Sequence, residues 1–258
     1  MIDNELKERL LFLADKYETT DFIKDDPSFF MHQYKRITDI EIAAFTAANL
    51  AFGKRSQILL HVKTILDSAL DNLTEWVLDK KYTELFTEGK KSFYRMYSHS
   101  DMILFFDVIH TMLTEYGSIG NAVKQKYNLI LSSNNNYIKA YSGSPLLAPV
   151  ISSFFTKDCS LIPHTKDSAS KKLNMFLRWM VRDNSPVDLG IWSWYSKKDL
   201  LIPLDTHVMQ MANQMKIINT KTANLKTCTL LTQAMRSIFN DDPARSDFAL
   251  FGYGVNKD

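Results

Sequence analysis

The sequence predicts an all-α fold, and three observations carry that prediction. Apolar residues recur at helical spacing through most of the chain. The periodic segments start at capping residues and stop at Gly or Pro. The single strand-like stretch, Ser92 to Tyr97, is too short and isolated to propose a sheet and reads as a packed connector. With 258 residues, 45% hydrophobic and 23% charged, the chain has ordinary globular composition and enough length for one large domain or two lobes.

Taken in order, residues 4–17 place Leu6, Leu10, Leu13 and Tyr17 on one helical face, and Asp21 to Phe30 form a turn around Asp25-Asp26-Pro27. Thr38 to Glu41 fit a capping box. The helix it opens carries Ile42, Phe45, Ala48 and Phe52 and stops at Gly53. Ser56 caps a further helix through Ile58, Val62, Ile65 and Ala69. A helical stretch over 74–86 follows, and Ser100 caps an apolar helix, 101–116, closed by Gly117. A short helix and a Ser/Asn loop, 132–136, come next. Residues 137–156 read as mostly helical, broken at Gly143-Ser144-Pro145 and Pro149.

Residues 166–182 form a basic helix. Leu173, Phe176, Leu177, Met180 and Val181 make its apolar stripe, while Lys171, Arg178 and Arg182 fall on the opposite face. Lys172 sits at the boundary, where partial desolvation lowers an amine's pKa. Residues 183–200, with Trp192 and Trp194, form a loop before Leu201. Pro203 then holds Ile202 extended, Asp205 stands at an N-cap position, and Val208, Met211, Ala212 and Met215 define the buried face of its helix. After a polar turn at 219–222, a helix spans 223–238, and a segment rich in Phe and Gly runs from Ala244 to Val255. Asp247 in it is expected to serve as a cap or ion-pair partner rather than a second catalytic acid.

Composition excludes several classes. The net charge of +2 announces no global field for a polyanion, so any nucleic-acid contact must come from a local patch. Two cysteines make neither a disulfide framework nor a four-cysteine metal site. His164, His207 and the acidic residues have no metal-ligand spacing, and no cofactor is expected. There is no phosphate loop, nucleophile elbow or Cys/His signature. No apolar run reaches transmembrane length, and Ile2-Asp3-Asn4-Glu5 does not open a signal peptide, so a cytoplasmic protein without membrane contact is the expectation.

Pro203-Leu204-Asp205-Thr206-His207-Val208, followed by Ala212-Asn213, resembles the Val-Asp-Thr-His segment of the endonuclease III-like, helix-hairpin-helix DNA glycosylases. The chain is also similar over most of its length to a bacterial family that shares the PLDTH, LRWMVR and DFALFG strings and has no established activity. The glycosylase resemblance implies one two-lobed helical domain over 1–258 with a cleft between the lobes and a loop insertion at about 183–200. Asp205 would be the catalytic carboxylate. Lys172 matches the lysine that attacks the sugar C1′, although Ser168-Ala169-Ser170 stands where the family has Gly-x-Gly, and the 33 positions from Lys172 to Asp205 exceed the family's usual link. Many members carry an iron–sulfur cluster on four cysteines, which this chain cannot build.

The implied partner is duplex DNA with a lesion. Lys171, Arg178, Arg182, Ser168 and Ser170 would bind phosphates. Lys54, Arg55 and Gln57 correspond to the family's Gln-containing DNA turn, and Trp192 and Trp194 could stack on an extruded base. Each assignment has a plain alternative: a snorkelling lysine for Lys172, a solvated basic turn at Lys54–Gln57, core tryptophans in the loop. At the level of function the alternatives are a non-catalytic nucleic-acid-binding module and a helical interaction protein.

Overall fold

A computed structural model describes residues 2–255 apart from 71, 134, 135 and 165. Asn134 and Asn135 of the expected Ser/Asn loop therefore lie outside the described residues. The chain is all-α. Among the described residues the only sheet is an antiparallel hairpin pairing Ser92–Tyr94 with Tyr97–Ser98, so the aromatic connector is a small hairpin. The chain forms two compact units. One comprises Met1–Lys24, Lys139–Leu146 and Thr165–Asp258, the other Asp25–Ile138 and Leu147–His164.

The second unit is built around helix Ile37–Leu50, buried at every position from Ile42 onward. Four alanines on this helix (43, 44, 47 and 48) let neighbouring elements approach on all sides, and Phe45 stacks on Phe105 at 5.2 Å. The expected capping box at Thr38 does not form, because the helix begins at Ile37 and encloses both of its members. The acids it carries serve other helices instead. Asp39 accepts the N–H of Thr74 (2.8 Å) and its hydroxyl (2.6 Å) at the start of helix Leu73–Leu78. Glu41 accepts the N–H of Gly120 (3.0 Å) in the first turn of helix Ile119–Ser132, where a carboxylate meets the positive end of the helix dipole.

The next helix starts at Arg55 rather than after Ser56. Ser98 and Asp101, not Ser100, form the capping box of helix His99–Tyr116, which closes at left-handed Gly117 as its position predicts. Of residues 137–156, only Leu147–Ser152 is assigned as an α-helix.

In the first unit, helix Asn4–Tyr17 lies along Ser246–Val255. Their approach requires Gly252, since a Cβ there would stand 2.2 Å from a Tyr17 ring carbon. Leu10, Leu13, Met211, Leu231, Met235 and Ala249 share the core between these helices and Thr206–Gln214 and Leu225–Phe239. The stretch 183–200 is a loop that packs Val187, Trp192 and Tyr195 inward and leaves Asp183, Asn184 and Ser193 exposed. It folds back on helix Lys171–Val181, with Leu189 N–H donating to the Trp179 carbonyl (2.8 Å) and Trp192 N–H to the Met180 carbonyl (2.7 Å). These bonds satisfy carbonyls that the helix end would otherwise leave open.

Candidate functional site

Asp205 is an N-cap, as the sequence predicts. Its backbone is extended, and Oδ1 accepts the Val208 N–H at 2.8 Å at the start of helix Thr206–Gln214. Its other oxygen, Oδ2, receives the amine of Lys171 at 2.8 Å, and both side chains are 36% exposed. The helix thus uses one oxygen and the amine the other, leaving the pair accessible from solvent. Burial by itself would raise the Asp205 carboxyl. The charge and hydrogen bond of Lys171, the Val208 N–H and His207 outweigh it and hold the group below the usual carboxylate range.

The amine that meets the carboxylate belongs to the residue before the one the alignment selects. Successive helical positions project about 100° apart, so Lys171 and Lys172 face different directions. Lys172 lies in the same first turn of helix Lys171–Val181 and is half-buried.

That helix is launched by Ser170, whose φ of 46° and ψ of 43° are left-handed. A serine here adopts a left-handed conformation that glycine takes most readily. The turn is held from several directions. Ser170 N–H donates to the Ser168 hydroxyl (3.0 Å), the Asn174 amide to the Ala169 carbonyl (2.8 Å), and Leu225 N–H to the Asp167 carbonyl (2.8 Å). Left-handed backbone costs a non-glycine residue about 1–2 kcal/mol, and Ser170 makes no side-chain cap bond. Ser170→Gly is therefore expected to stabilise the protein by roughly 1 kcal/mol, raising Tm by about 2–4 °C. A fall in Tm on thermal denaturation would show that the serine side chain, not the backbone, holds the turn.

Arg178 and Arg182 require a correction. Assigned to an exposed phosphate-binding face, they are 3% and 1% exposed and bound to carboxylates. Arg178 pairs with Asp188 (3.2 Å) and with Asp247, and its guanidinium lies over the Phe248 ring at 4.4 Å. Arg182 pairs with Glu18 (2.7 Å), Asp242 (2.8 Å) and Asp188. Arginines one turn apart inside a run of Trp, Met and Val are a signal for burial, since the planar guanidinium suits enclosed multi-carboxylate sites. Trp192 is corrected too. It is 2% exposed and packs edge-on against Phe176 at 5.2 Å, so it offers no face to a base. Trp194, half-buried, stacks on Trp192 at 5.6 Å.

Two further residues surround the pair. Asp247, in the first turn of helix Ser246–Val255, is the ion-pair partner of Arg178. Burial pushes its carboxyl above the usual range, with Arg178 and Lys171 opposing and Asp205 and Asp188 adding to the rise. His207 is exposed, and its Nε2 lies 3.1 Å from where a Cβ on Gly254 would stand, so the absence of a side chain there makes room for the imidazole. Sequence reading missed Asp188 and Glu18 altogether. No local pattern distinguishes a loop aspartate that faces inward from one that faces water.

Lys54, Arg55 and Gln57 belong to the other unit, at the exposed start of helix Arg55–Asp67. Among the described residues no three His, Cys, Asp or Glu side chains are grouped to hold a metal ion, and no helix is long and apolar enough to cross a membrane.

Residues 26–256 match a protein family described as a protein of unknown function, DUF2400. No curated protein and no solved structure matches the chain.

Proposed function

The chain belongs to the DUF2400 family, and we propose that it is a DNA N-glycosylase with abasic-site lyase activity, in which Lys171 and Asp205 are the reacting pair. The contact between Lys171 Nζ and Asp205 Oδ2 carries this reading. It joins an amine and a carboxylate, 34 positions apart in sequence, at the first turns of two helices, with both groups open to a solute. The left-handed Ser170 beside the lysine adds support, because it preserves the backbone shape for which the related enzymes use glycine.

The chemistry follows from the two groups. Asp205, held ionised, stabilises the positive charge that builds on the sugar as the base departs. After giving a proton to solvent, Lys171 uses its lone pair to form a bond to C1′ while the glycosidic bond breaks. That bond's electrons leave with the base, which takes up a proton. Opening of the sugar ring converts the adduct to an imine, and loss of a C2′ proton then expels the 3′ phosphate. Arg178 and Arg182 have no place in these steps. They anchor the helix that presents Lys171.

Borohydride reduces such an imine to a stable amine and so traps the protein on DNA carrying an abasic site. The expected result is a covalent adduct with the native chain and with Lys172→Ala, and none with Lys171→Ala. An adduct lost only with Lys172→Ala would return the nucleophile to the aligned position. Absence of any adduct, together with no base release from a panel of lesions, would overturn the enzymatic reading.

A further inference from the structure

The second unit carries a basic, aromatic groove that the Lys171–Asp205 chemistry does not use. Its volume is about 340 Å3, and Lys54, Gln57, His61, Phe93, Tyr94 and Arg95 line it. Two stretches distant in sequence build it, the start of helix Arg55–Asp67 and the Ser92–Ser98 hairpin. Gly53 brings them together. A Cβ at this residue would stand 2.8 Å from the Arg95 guanidinium and 2.9 Å from the Tyr94 hydroxyl, and its φ of 117° is one that side chains rarely adopt. Tyr94 then locks the hairpin by donating to the Phe52 carbonyl at 2.6 Å.

The charge of this region departs from that of the whole. Residues 52–62 and 89–98 contain Lys54, Arg55, Lys90, Lys91 and Arg95 and not one Asp or Glu, in a chain whose net charge is only +2. Aromatic surface is interleaved with the cations. Phe52 is 45% exposed beneath the Arg95 guanidinium, which sits 4.7 Å from its ring centre. His61 meets the Phe93 ring at 5.3 Å and the Tyr94 ring at 4.5 Å, and both His61 and Phe93 remain half-buried at the groove wall. At the hairpin tip Met96 is 62% exposed.

We propose that this groove binds single-stranded nucleic acid, with Lys54 and Arg95 on phosphates and the Phe93 ring stacking on an unpaired base. Clustered cations attract a polyanion, and base faces become available to aromatic rings only when the strand is unstacked. A groove of this size falls within the range of ligand clefts, about 300–1,000 Å3. The inference goes beyond the glycosylase reading in naming an unpaired strand and the aromatic hairpin that receives it; it shares with that reading the Lys54–Gln57 turn, but no residue of the Lys171–Asp205 pair takes part.

The test is fluorescence anisotropy of the full chain titrated into a labelled oligothymidylate and into the corresponding duplex across a salt series. The single strand should bind more tightly than the duplex. With Lys54 and Arg95 each on a phosphate, the log–log salt slope is about −1.4. Lys54→Gln with Arg95→Gln should flatten that slope by about 1.4, and Phe93→Ala should weaken binding roughly tenfold. Phe93→Leu keeps the hairpin's apolar bulk and should also weaken binding, which separates loss of stacking from loss of fold. Failure to bind the oligothymidylate overturns the proposal, as does binding indifferent to the groove variants, or duplex binding as tight as that of the single strand. A chain that binds through the groove but neither traps on abasic DNA nor releases a base from any lesion would sink the glycosylase reading and leave this one standing.

Discussion

Asp205→Asn is expected to lower base release from damaged duplex DNA by about 10²–10³-fold while leaving Tm within about 2–4 °C of the native value. The two effects separate because Asp205 has two roles on two oxygens. As an N-cap, Asn is as good as Asp, so the bond from Val208 N–H to the side chain survives. What disappears is the negative charge facing Lys171. A half-exposed ion pair of this kind contributes only about 0–1 kcal/mol to stability, yet in the proposed reaction the same charge stabilises the sugar as it becomes positive.

The pH dependence follows from the direction of the shift. Asp205 is held below the usual carboxylate range, so whatever it contributes to stability is fully present above its unfolded pKa of about 3.9. That contribution is lost as pH falls through the lower, folded value. On the acid side the charge of Asp205 is therefore retained until the pH passes below about 3.9, whereas bond formation by Lys171, which must first give up a proton, slows as the pH falls. Steady-state turnover read beside thermal denaturation checks both halves. A variant that loses Tm and activity together would reduce Asp205 to a structural cap.

Arg182→Met is expected to destabilise the first unit by about 3–5 kcal/mol, with a Tm lower by roughly 10 °C or more. Arg182 is 1% exposed and is shared by Glu18, Asp188 and Asp242. Methionine fills much of the volume but leaves three carboxylates without their common cation. Burial would raise Glu18, but Arg182 and Arg245 hold it below its ordinary value. Its contribution is thus present above an unfolded pKa of about 4.3 and disappears as pH falls through the folded value, so the native chain should lose stability in acid. Arg245→Met is a milder companion. Arg245 is 30% exposed and binds Glu18 at 2.6 Å and Asp15 at 2.5 Å, so Glu18 would keep Arg182. Were Arg182→Met to melt like the native chain and lose only DNA affinity, the arginine would be a surface phosphate contact and its burial would be wrong.

Much of the architecture was readable in the sequence because helices announce themselves locally. The Asp205 cap, the left-handed stop at Gly117 and the buried face carried by Met211, Ala212 and Met215 each depend on residues within a turn or two of one another. The departures have a common cause. Thr38 to Glu41 has the residues of a capping box, but Asp39 and Glu41 find better donors 35 and 79 positions away, and the helix starts earlier. The hairpin at Ser92–Ser98 is too short to signal itself. It exists because Gly53 leaves room for it and Tyr94 ties it to Phe52.

The sequence by itself determined that this protein is all-α, that Asp205 stands at the head of a helix, and that Lys171 and Lys172 lie on the helix before it; that this helix starts at Lys171, not 166, came from the structure. The tertiary structure alone brought the Lys171 amine to the Asp205 carboxylate. It also turned Arg178, Arg182 and Trp192 from candidate DNA contacts into core. The physical reason is range. Periodicity and capping are settled between neighbours in the chain, whereas the Lys171–Asp205, Arg178–Asp247 and Arg182–Glu18 contacts span 34, 69 and 164 positions. Charges that distant have no local signature until the packing of apolar surface has brought them together.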